Sequence, residues 1–125
     1  MSSNLNSPSA APPSSKPPMN PVEFLVLVAL AEGDLHGYGL VRDIETRTEG
    51  RVSLRPGNLY RVLDRLLERG LLEKADRKPA GASDHQQRQY YRITAEGHRQ
   101  ATAEAEWLSR VVATAQGLGA ATEPA

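Results

Sequence analysis

The sequence predicts a mainly α-helical fold with one small β-hairpin and a long C-terminal helix. Three observations carry that prediction. Residues 22–69 contain three segments whose apolar side chains recur at helical spacing. The pattern then turns strand-like in LLEKAD (71–76) and QRQYYRIT (87–94). From Thr94 a helical pattern returns and runs to about residue 117.

The first eighteen residues, MSSNLNSPSAAPPSSKPP, are almost all Ser, Pro, Ala and Asn. Such a tract buries too little apolar surface to offset the cost of ordering its backbone, which predicts a disordered tail over 1–18. VEFLVLVALAEG (22–33) is apolar nearly all round, and its length and Leu/Ala ending favour a buried first helix over a strand. HGYGLVRDIETRTEG (36–50) places Leu40, Val41 and Ile44 on one side of a second helix. RVSL (51–54) is too short for a helix and reads as a connector or small strand.

RPGNLYRVLDRLLERG (55–70) is the most regular segment. Leu59, Val62, Leu63, Leu66 and Leu67 mark one helical face, Pro56 suits the first turn, and Gly70 ends the helix as a C-cap. The two strand-like runs form a hairpin around the turn-rich RKPAGASDHQ (77–86). Thr94 is the expected N-cap of the last helix, with Glu96 in its first turn. Three helices followed by a hairpin is the layout of a winged helix-turn-helix. The division that follows is a tail over 1–18, a winged helix-turn-helix over 19–93, a dimerisation helix over 94–117 and a flexible end over 118–125.

The chain of 125 residues has no Cys, which suits a reducing cytoplasm. Its longest apolar run, Val22 to Ala31, is about half the roughly 20 residues a membrane span needs, so a soluble cytoplasmic protein is expected. Fifteen basic and fifteen acidic residues cancel over the whole chain. They are not evenly spread: residues 51–92 carry ten basic against five acidic side chains, a local net charge of +5. A polyanion responds to such a local face, not to the whole-chain sum.

On the polar side of the third helix, Asn58, Arg61 and Arg65 are spaced i, i+3 and i+7, where a recognition helix meets base edges. Arg pairs with guanine and Asn with adenine, at about 1–3 kcal/mol of discrimination per good contact. Gly57 leaves the helix start open to a phosphate. Tyr60 can pack its ring while its hydroxyl reaches the backbone of DNA. The ordinary alternative is intrahelical pairing, Arg61 with Asp64 and Arg65 with Glu68.

Three motifs taken together, His-Gly-Tyr at 36–38, Gly-x-Leu-Tyr at 57–60 and Tyr-Tyr-Arg-Ile-Thr-x-x-Gly at 90–97, resemble the PadR family of winged-helix transcriptional regulators. The resemblance covers about residues 19–116. It implies a dimeric DNA-binding regulator, in the main a repressor, in some members released by a small molecule. It further implies that Tyr38 touches the DNA backbone and that Gly57, Asn58, Tyr60 and Arg61 enter or border the major groove. Lys74, Arg77, Lys78 and Arg88 of the wing would follow the flanking phosphates. Position 58 more often holds Thr or Ser in this motif, so Asn58 departs from the family's pattern and the resemblance assigns it no base preference. The single C-terminal helix resembles the family's compact branch.

His36, His85 and His98 have no neighbouring ligand at metal spacing, and there is no phosphate loop or nucleophile elbow. No enzyme activity, metal or cofactor is expected. In the last helix Ala101, Leu108, Val111, Ala115 and Leu118 form an apolar stripe broken only by Glu104, with Trp107 and Val112 beside it. A second copy of the chain would cover it, with Leu25 of the first helix joining the interface, and two copies suit palindromic double-stranded DNA. Trp107 is either an interface packing residue or the contact of a small apolar effector. The rival reading is a winged-helix protein–protein adaptor, which would have no need of the basic excess in 51–92.

Overall fold

A computed structural model of the chain describes residues 19–76 and 89–122, with side chains up to residue 118. The 1–18 tail and the hairpin tip, including Arg77, Lys78 and Arg88, lie outside the described residues. The elements run α1 (Pro21–Ala31), β1 (Leu35–His36), α2 (Gly37–Arg47), α3 (Pro56–Glu68), β2 (Leu72–Ala75), β3 (Tyr90–Ile93) and α4 (Ala95–Thr122). This is the mainly helical winged-helix architecture that the element order predicts.

α1 begins with Pro21 inside its first turn, and a capping box fixes the start. Asn20 Oδ1 accepts from the Val22 N–H at 2.8 Å, and Glu23 Oε1 accepts from the Asn20 N–H at 3.2 Å. Val26, Leu27, Ala29 and Leu30 are buried, and α1 packs against α2, α3, α4 and β3. An element enclosed on so many sides has no room for a polar stripe, which explains its uniform composition. α3 contributes Leu59, Val62, Leu63 and Leu66 to the same core, and Gly70 closes it with φ +75°.

The sheet differs from expectation in one strand. Residues 51–54 are not a strand. The place beside β3 is taken by Leu35–His36, so the three strands run β1-β3-β2, all antiparallel. The Val52 N–H instead donates to Thr48 Oγ1 at 3.0 Å, while that hydroxyl donates to the Ile44 carbonyl at 2.8 Å. Val52 and Leu54 pack against the core from this irregular segment.

Thr94 caps α4 as expected. Its Oγ1 accepts from the Gly97 N–H at 3.0 Å and donates to the Gly70 carbonyl at 2.7 Å. The first turn of α4 lies so close to the end of α3 that a Cβ on Gly97 would run into the Leu71 carbonyl oxygen. α4 is longer than the sequence indicated: it continues past residue 117 to Thr122, into the stretch expected to be a flexible end. Past its contact with α1 the helix exposes Trp107, Val111, Val112 and Leu118 by 43%, 39%, 56% and 68%. No helix among the described residues is long and apolar enough to cross a membrane.

Candidate nucleic-acid interface

The start of α3 carries no side-chain cap. Arg55 at the N-cap makes no capping hydrogen bond and Pro56 lacks an N–H, so the N-cap side chain satisfies none of the remaining backbone donors of the first turn. Gly57 is exposed, and a Cβ built on it would meet nothing within 4 Å. Internal packing therefore does not require glycine at position 57. Asn58 and Arg61 are exposed beside it.

One flank of this opening is aromatic. Tyr60 lies against the start of α2 so closely that a Cβ on Gly37 would be 2.7 Å from its hydroxyl. Tyr38 is 59% exposed. Its hydroxyl accepts from Arg42 Nη1 at 3.2 Å, and the same guanidinium lies 5.6 Å from the ring centroid. That hydrogen bond holds the Arg42 pKa above its ordinary value, so the cation persists at any relevant pH. His36 caps α2 by accepting from the Gly39 N–H on Nδ1 at 3.0 Å. Its ring stacks toward Tyr38 and meets Tyr90 edge-on at 5.2 Å. Together His36, Gly37, Tyr38, Tyr60 and Gln89 line an open cleft of about 490 Å³.

The opposite flank is set by a buried carboxylate. Glu23 of α1 is only 6% exposed, and it accepts from Arg65 Nε at 3.2 Å and from Arg69 Nη1 at 3.4 Å. Arg65 thus lies at the α1 side of α3 and not on the outermost line with Arg61. At 3.6 residues per turn it falls next to Val62, at the margin of the buried face. The outermost ridge is instead Gly57, Arg61, Asp64 and Glu68, all exposed, at i, i+4, i+7 and i+11. Arg65 takes its partner from α1, not from Glu68.

Lys74 is exposed on β2, opposite Tyr91 of β3. Burial, the first of its causes, pushes the Tyr91 phenol above its ordinary pKa. Arg92 Nη2 donates to Asp34 Oδ2 at 2.9 Å, tying β3 to the residue before β1. Sequence alone gives Arg42 and Gln89 no place on this surface, and His36 only as part of the His-Gly-Tyr motif. The i, i+4 spacing of Tyr38 and Arg42 was the available signal for the first. Among the described residues no group of His, Asp and Glu side chains could hold a metal ion.

Residues 26–103 match the sequence model of the Transcriptional regulator PadR-like family. The chain belongs to that family. A PadR-like transcriptional regulator from Bacillus cereus superposes with a TM-score of 0.64 at 26% identity, over 78% of this chain and 89% of that one. Bacillus subtilis PadR, solved in complex with operator DNA, gives 0.54 at 17% identity over 71% of this chain and 47% of that one, a likeness of fold alone. Among curated sequences, the Escherichia coli transcriptional regulator YqjI is 37% identical over 51 residues, 41% of this chain. The chain spans 18% and 25% of the length of the first curated relatives it matches. In this member of the PadR-like family the winged-helix order fixes which elements surround α3: the start of α2 on one side, α1 on the other and the β2–β3 pair beyond its end.

Proposed function

We propose that this PadR-like regulator is a homodimeric, sequence-specific DNA-binding repressor that acts in the cytoplasm on an inverted repeat. The observation that carries the reading is the exposed ridge of α3, open at Gly57 and bearing Arg61 with Asn58 beside it, between two flanks that carry cations and phenols. A helix presented in this way fits the major groove, with its first turns toward the base edges. Asn58 and Arg61 read bases. Tyr38, Arg42 and Tyr60 meet phosphates on one wall of the groove, and Arg65, held by Glu23, meets those on the other. Lys74, with Arg77, Lys78 and Arg88 of the hairpin, follows the flanking backbone and supplies much of the salt-dependent affinity. That a protein of similar fold, Bacillus subtilis PadR, is found with operator DNA supports this docking.

In this reading residues 19–93 form the DNA-binding unit and α4 the dimerisation element. Leu108, Val111, Val112 and Ala115 of α4 pair with their counterparts in a second copy, with Ala101 and Leu25 at the α1 end of the interface. Trp107 lies on the same surface and is the side chain that a small apolar effector would meet. The test is a gel shift with the DNA upstream of the protein's own gene, followed by footprinting. One retarded complex protecting two half-sites about 34–36 Å apart is the expected result. Equal retardation of every DNA of the same length would remove sequence-specific repression.

A further inference from the structure

We infer that Asp64 is a specificity-determining residue of α3, accepting a hydrogen bond from the exocyclic amino group of a cytosine in the major groove. The inference rests on the docking of α3 proposed above. Asp64 occupies the outermost ridge, one turn beyond Arg61, and its side chain is exposed. Neither of the cations nearest in sequence is paired with it: Arg65 is engaged by Glu23, and among the described residues the carboxylate of Asp64 acts electrostatically on the Tyr91 phenol, a repulsion that leaves its charge without a donor. Such a carboxylate on a helix face that meets a polyanion is unfavourable unless a donor receives it.

The major groove offers few donors. Guanine N7 and O6 and thymine O4 are acceptors and repel a carboxylate, which leaves the amino groups of cytosine and adenine. Adenine sets the N7 acceptor beside its amino group, whereas cytosine presents N4 with no acceptor next to it on the same base. Cytosine is therefore the better match. Asp64 lies three residues past Arg61, about 4.5 Å further along the helix axis. That offset is close to the roughly 3.4 Å between successive bases, so the cytosine falls within two base pairs of the one read by Arg61.

The experiment is a binding-site selection on randomised half-sites with the full chain, comparing wild type, Asp64→Ala, Asp64→Asn, Glu68→Ala and Arg61→Ala. The wild type is expected to select cytosine at one position within two base pairs of the one lost in Arg61→Ala. Asp64→Ala should flatten that cytosine preference by about five- to tenfold, the lower part of the range for a direct base contact. Asp64→Asn should move it toward adenine, whose N6 and N7 an amide can engage together. If Asp64→Ala leaves every position unchanged, or binds all sequences more tightly without altering preference, Asp64 is only a repulsive charge and the inference fails. It fails also if Glu68→Ala flattens the same position equally. A wild type that selects no sequence at all would instead overturn the docking of α3 itself, and this inference with it.

Discussion

Among the described residues, the exposed surfaces of α3 and α4 are chemically opposite. The outer ridge of α3 presents Gly57, Arg61, Asp64 and Glu68, flanked by Asn58, Tyr60 and Arg65, with no large aliphatic side chain among them. The distal part of α4 presents Trp107, Val111, Val112 and Leu118, all well exposed. Both helices are amphipathic, but only α3 hides its apolar face inside its own domain, in contact with α1 and α2. α4 leaves the domain after its contact with α1 and carries its apolar side chains beyond the reach of that core. A contiguous apolar surface of this kind marks an interaction site, whereas a polar helix face ringed by cations suits a polyanion. One exposed surface is chemically fit for DNA and the other for protein.

The largest expected effect comes from making the second surface resemble the first. Val111→Glu combined with Leu118→Glu places two charges where the single chain is already open to water, so the fold of the monomer should be unaffected. In a two-fold interface each new carboxylate would face a like charge, which costs several kcal/mol. Light scattering should report a monomer with its helical signal intact. Operator binding should fall by about 10²- to 10⁴-fold, because the two half-sites are no longer engaged together. A variant that stays dimeric would place the interface elsewhere. A monomer that binds as well as before would separate dimerisation from DNA reading.

How far this contrast could be read from sequence depends on the distance between the partners. The helices were legible because their apolar spacing is local and repeated, and the cap at Thr94 because it lies three residues from the N–H it accepts. Two-residue β1 was not, since Leu35 and His36 show no period and their pairing with Tyr91 and Tyr90 spans more than fifty residues. RVSL, too short for a helix, left a connector and a small strand equally open, and the structure makes it the connector. Asn58 and Arg61 were legible as exposed polar positions. The orientation of Arg65 was not, because its partner Glu23 lies 42 residues earlier on another helix, and only the fold brings the two together. Arg77, Lys78 and Arg88 remain as the sequence leaves them, cations on a hairpin outside the described residues.

A smaller effect should come from altering the α3 ridge without touching its buried side. Asn58→Ala and Arg61→Ala remove exposed groups, so stability should change by less than about 0.5 kcal/mol. Each should lose about 1–3 kcal/mol of discrimination at one base pair of the half-site while non-specific binding persists. Binding-site selection measures the first, and titration with an unrelated duplex measures the second. Uniform weakening on every sequence would reassign both residues to phosphate contacts and make the ridge a docking surface without readout.

The smallest change, a single methyl at Gly57, offers the finest test of the contrast. At Gly97 the reason for glycine lies within the fold, since a Cβ would strike the Leu71 carbonyl. At Gly57 a Cβ meets open space, and alanine is the better helix former by up to about 1 kcal/mol. Gly57→Ala should therefore melt at the same temperature or up to about 6 °C higher, measured by calorimetry. Its operator affinity should nevertheless fall by about three- to tenfold, or about 0.7–1.4 kcal/mol, because the methyl stands where the first turn of α3 meets the DNA backbone. Higher stability with unchanged binding would move the contact away from the start of α3, to the cleft at Tyr38 and Tyr60 or to the hairpin. Lower stability would mean that position 57 is covered in the dimer, placing the second copy on the α3 side of the molecule.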